Sequence, residues 1–103
     1  MKKGYQLTFF TLESRQHKNK SVSNYIEEIA QKLGITGITV IKASKGIGED
    51  SKLHSASFFE LTDQPLEIIM ILEEDKYIEL FSHLEKENLN LFFFFSAIEY
   101  GII

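Results

Sequence analysis

Cysteine and tryptophan are absent from this 103-residue chain, proline occurs once, at Pro65, and arginine once, at Arg15. Without cysteine there is neither a disulfide framework nor a thiolate metal site, which fits a reducing compartment. No apolar run approaches the roughly 20 residues that span a bilayer, and polar residues interrupt the first six positions too early for a signal peptide. A cytoplasmic location without membrane insertion is therefore expected. His17, His54 and His83 lack the short spacing of metal ligands, and no Ser-His-Asp order or paired carboxylates stand out. Neither a metal site nor catalysis is expected.

Positive charge is scarce in the second half. Residues 1–56 carry nine Lys/Arg against five Asp/Glu, a surplus of four, whereas residues 57–103 carry two Lys against ten Asp/Glu, a deficit of eight. The basic groups gather at Arg15, Lys18 and Lys20 and again at Lys42, Lys45 and Lys52. Two local clusters are not the broad basic face that nucleic-acid binding requires, but either can hold a small anion.

The hydrophobic pattern yields one domain over residues 1–103. Residues 5–12 alternate and then turn apolar on both faces, as a strand does. Ser21 is a candidate N-cap for a helix whose apolar positions Val22, Tyr25, Ile26, Ile29, Ala30 and Leu33 end at Gly34. Residues 38–43 form a β-branched strand, 44–55 a glycine-bearing loop, and 56–61 a strand-like return before the turn at 62–65. Residues 66–72 are a buried strand. A second helix follows Glu73, Glu74 and Asp75, with Tyr77, Leu80, Phe81 and Leu84 on one stripe, and 91–98 is the last strand after a connection at 87–90. The order is α+β, the ferredoxin-like βαββαβ arrangement with an antiparallel sheet. That topology puts residues 13–20, 44–55 and 87–90 at one end of the sheet.

Two helices cover one face of such a sheet, yet Phe9 with Phe10, residues 68–72 and residues 92–95 are apolar on both faces. A sheet-to-sheet oligomer is expected. The alternative is a bulged last strand whose aromatics tuck beneath residues 100–103.

Taken in order, residues 4–10, residues 34–40, Gly46-Ile47-Gly48 and His54-Ser55-Ala56 resemble the PII-like domain-of-unknown-function group related to nitrogen-regulatory PII signal proteins. The resemblance implies a homotrimer with its sheets facing inward. It also implies a signalling role, with a small anionic metabolite such as an adenine nucleotide bound at clefts between subunits. The loop 44–57 would then control a membrane transporter or enzyme partner. Gly46 and Gly48 match the PII-type Gly-x-Gly. Residues 87–90 carry no glycine or basic group and residues 91–100 no Lys or Arg, so a ligand of lower charge than a triphosphate fits, such as a nucleoside monophosphate, a cyclic nucleotide or bicarbonate. Candidate ligand-binding residues are Gly46, Gly48, Lys42, Lys45, His54, Ser55 and Arg15. Two other readings stay open: a small enzyme using His54 as acid or base, and an interaction module with no small ligand.

Overall fold

The computed structural model describes residues 1–47, 53–55 and 63–103. Its strands are β1 (Lys2–Leu12), β2 (Gln16–His17), β3 (Lys20–Ser21), β4 (Gly37–Lys42), β5 (Lys45–Ile47), β6 (Leu53–Ser55), β7 (Pro65–Leu72) and β8 (Phe92–Tyr100), with helices α1 (Val22–Lys32) and α2 (Glu74–Leu84). The main sheet has the order β4-β7-β1-β8, every neighbouring pair antiparallel. Because β1 and β4 both run opposite to β7, they run the same way, as the ferredoxin-like reading requires.

Helix α1 begins where Ser21 Oγ accepts the Asn24 N–H at 3.1 Å. It ends at Gly34, whose φ of 79° lies in the left-handed region that glycine enters without strain. One stripe of α1, Val22, Ile26 and Ala30, joins Leu80 and Leu84 of α2 against Leu7, Phe9, Ile68 and Met70 of the sheet. Each fully buried Leu, Ile or Phe there contributes about 1.5–3 kcal/mol relative to exposure. Strand β7 alternates without a break: Leu66, Ile68, Met70 and Leu72 are buried beneath the helices, and the residues between them are half-buried on the other face.

At Gly4 the sheet is too close for a side chain. A Cβ there would lie 2.7 Å from the Leu72 carbonyl oxygen and 2.9 Å from Tyr100 Cε1. The Tyr100 ring occupies the space above the bare glycine, and β8 runs on to Tyr100, two residues past the end expected from hydropathy.

The aromatic run of β8 splits by parity. Phe93 packs on Phe81 (centroids 5.0 Å) and Phe95 on Tyr77 (5.1 Å), on the helix side. Phe92 and Phe94 meet Phe10 at 5.6 and 5.9 Å on the opposite face. Among the described residues no helix covers that face: Phe92 is 59% exposed, Phe94 44% and Ile41 43%. Residues 101–103 do not shelter it, since Ile102 and Ile103 are themselves fully exposed, and the tucked-tail alternative fails.

Two stretches read as loops contain paired backbone. Residues 16–21 make a two-stranded hairpin, His17 opposite Lys20, turned by Lys18 and Asn19 at φ 52° and 64°. Two consecutive positive φ values are what a tight hairpin turn of matching twist demands. In the expected loop 44–55, β5 pairs with β6. The strand-like return expected at 56–61 lies outside the described residues.

Candidate functional site

One end of the sheet collects the exits of β1, β4 and α2, and the charged groups found there decide how those connections are tied. From β1, Glu13 N–H donates to the Gln64 carbonyl at 2.9 Å, while from β4, Ala43 N–H donates to the Pro65 carbonyl at 2.8 Å. Lys42, the last residue of β4, sets its Nζ 3.1 Å from Glu13 Oε1. The segment after β1 is thereby joined by charge to the base of the β5–β6 hairpin, across β7.

On the other flank, Arg15 donates from Nη1 to the Asn90 carbonyl at 3.2 Å and from Nη2 to the Leu89 carbonyl. These acceptors are free because the chain leaves α2 through a 3₁₀ turn (Glu85–Glu87) and then places Asn88 and Asn90 at φ 50° and 52°, ending any helical ladder. Glu87 accepts from Lys18 Nζ and, at 2.6 Å, from the Tyr25 hydroxyl. The His17 ring lies edge-on to Tyr25 at 4.7 Å. Burial, followed by the hydrogen bond to Glu87 and that group's charge, pushes the Tyr25 phenol up to about 12. The Lys18 hydrogen bond, with the Tyr25 one behind it, holds the Glu87 carboxyl below its usual value. Of the three segments expected to be neighbours, 13–20 and 87–90 are in contact, and Lys42 joins the base of the third to Glu13 on the opposite flank; a connection without a basic group of its own thus receives Arg15 and Lys18.

The candidate ligand residues fall into two groups. Lys45 stands opposite Ser55 and Gly46 opposite His54 in the β5–β6 pairing, with Lys42 three residues before the hairpin. Arg15 belongs to the other flank, on the β8 side. Gly48 lies outside the described residues. Residue-level reading of the sequence missed Thr11 and Glu13, and weighed His17 only as a metal ligand. Thr11 Oγ1, Glu13 Oε2 and His17 Nε2 are buried and have no hydrogen-bond partner among the described residues. Three such atoms on one seven-residue stretch depart from the rule that buried polar atoms are paired. The available signal was the lone acid, Glu13, among basic neighbours at the end of an apolar strand.

A groove of about 660 Å³ lies elsewhere, at the opposite end of the sheet, between Lys3, Gly4, Tyr5, Glu74 and Glu99. It contains none of the candidate residues. Among the described residues no cluster of three His, Asp or Glu side chains is placed to hold a metal ion, and no helix is long and apolar enough to cross a membrane.

This geometry matches solved proteins of low sequence identity. CPII from Thiomonas intermedia K12, a nitrogen regulatory PII-like protein solved bound to ADP, AMP and bicarbonate, superposes with a TM-score of 0.72 at 18% identity, over 98% of this chain and 91% of that one. Its apo form gives a TM-score of 0.64 at 19% identity, over 99% of this chain and 96% of that one. The likeness shows a PII-like fold. In sequence, a UPF0166 protein from Aquifex aeolicus (strain VF5) is 28% identical over 75 residues, 73% of this chain and 71% of that protein. The model of the DUF190 family, described as uncharacterized ACR, matches residues 4–98. With nearly its whole length matched, the chain belongs to the DUF190 family.

Proposed function

We propose that this protein is a PII-like regulator, not an enzyme, that works as a homotrimer. It binds a small anionic metabolite at clefts between subunits and signals occupancy through the loop 44–57 to a transporter or enzyme. The observation that carries this reading is the convergence at one pole of Lys42, the paired Lys45–Ser55 and Gly46–His54 positions and the segment leaving β1. Backbone N–H groups beside a glycine and two lysines form a low-charge anion site. Support also comes from the fold shared with CPII, which was solved with ADP, AMP and bicarbonate. The uncovered sheet face supplies the surface for association. Arg15 and Lys18, on the flank away from Lys42, reach a cleft as a neighbouring subunit's contribution.

The test is a thermal-shift screen of the purified protein against adenine nucleotides, cyclic nucleotides and bicarbonate, followed by calorimetry. A ligand at 100 times its dissociation constant stabilises the native state by about 2.7 kcal/mol, a shift readily seen. Binding that Lys42→Gln or His54→Ala weakens supports the reading, and silence across the panel refutes it.

A further inference from the structure

We propose that Glu13 makes the Lys42 end of this site selective for oxyanions that carry their own proton, the hydrogencarbonate and hydrogenphosphate class, over fully deprotonated anions such as sulfate. The inference rests on the anion site proposed above and names the chemistry that it accepts. Glu13 engages Lys42 Nζ through Oε1 at 3.1 Å, while Oε2 is buried with no partner among the described residues. Thr11 is 8% exposed and its Oγ1 is likewise buried without a partner among those residues. In the strand register Thr11 lies opposite Leu66 on one side and Lys42 opposite Leu66 on the other, so the two residues share one face of the sheet with β7 between them, and the Lys42 ammonium reaches back across it to Glu13, two residues after Thr11.

A carboxylate only accepts hydrogen bonds, a lysine only donates, and a threonine hydroxyl does either. Sulfate can be held by Lys42 and Thr11, but it offers nothing to Glu13 Oε2 and is repelled by it. An anion with an O–H satisfies all three: its charged oxygens accept from Lys42 and Thr11, and its proton is donated to Oε2. A site built to receive a ligand hydroxyl rejects analogues without one, because its own buried acceptor is otherwise stranded. Glutamine at position 13 places an amide there, which donates as well as accepts and carries no charge.

The experiment is titration calorimetry of the full chain at pH 7.5 with bicarbonate, inorganic phosphate and sulfate. The wild-type protein binds bicarbonate or phosphate at least about tenfold more tightly than sulfate, a modest share of what hydroxyl recognition achieves. Lys42→Gln weakens all three together, whereas Glu13→Gln binds all three and loses the preference. If Glu13→Gln does not fold, Glu13→Asp keeps the charge, withdraws the oxygen and shrinks the preference. Equal affinities in wild type, or a preference that survives in Glu13→Gln and Glu13→Asp, overturn the proposal. Adenine nucleotide binding with no response to any of the three anions overturns it while leaving the regulatory function standing; no binding by either set overturns both.

Discussion

Arg15 shows how one side chain can serve two masters. Its guanidinium spans the Leu89 and Asn90 carbonyls and ties the β2–β3 hairpin to the chain just before β8. Hydrogen bonds from a charged donor to backbone acceptors contribute more than neutral ones, although solvent access reduces their net value. Arg15→Ala is expected to cost about 1 kcal/mol, which in a domain of this size lowers the melting midpoint by roughly 4–8 °C. The check is scanning calorimetry without ligand: an unchanged midpoint would leave Arg15 with a ligand role alone. Arg15→Lys restores little, because a single ammonium cannot reproduce a planar fork reaching two carbonyls.

The β2–β3 hairpin is tied to its surroundings by titratable contacts, Lys18 with Glu87 and Lys20 with Glu28, beside the Tyr25–Glu87 hydrogen bond, and a pH dependence follows from them. Tyr25 has its pKa raised, so the neutral phenol is favoured by folding. That contribution is complete below the ordinary value of 10.0 and is lost as pH rises through about 12. Glu87 is shifted the other way: its contribution is present above the ordinary 4.5 and is lost as pH falls through its lowered folded value. Urea midpoints of wild type and Tyr25→Phe should therefore converge between pH 10 and 12, and those of wild type and Glu87→Gln should converge in acid. Parallel curves would mean that neither group is linked to folding. This hairpin was hidden in the sequence because Lys18-Asn19 is not one of the glycine-bearing pairs that announce such a turn, and β5–β6 was hidden by strands of three residues each. The long elements were legible because their apolar periods are unbroken, from Val22 to Leu33 in the helix and from Leu66 to Leu72 in the strand. Topology then made the pole legible too. The pairing of Lys42 with Glu13 was not, since it depends on which way two side chains turn across β7.

For the whole molecule, the decisive contrast is between the two faces of one sheet. The helix face buries Leu7, Phe9, Ile68 and Met70 almost completely, whereas Phe92, Phe94 and Ile41 remain 43–59% exposed on the other. Each such side chain left in water forgoes about 1 kcal/mol or more of burial, which association recovers. Phe94 is the most informative position, because it packs on Phe10 on the open face and is 44% exposed. On the proposed homotrimer, Phe94→Asp is thus expected to keep native circular dichroism while light scattering reports one third of the wild-type mass. If the mass is unchanged, the open face is not the contact that holds subunits together. Should the variant become a folded monomer, it also separates the parts of the site. Lys42, Lys45 and His54 remain on the protomer, so any ligand whose cleft needs a neighbour's Arg15 or Lys18 is lost by the monomer, and any ligand that a single pole can hold is kept.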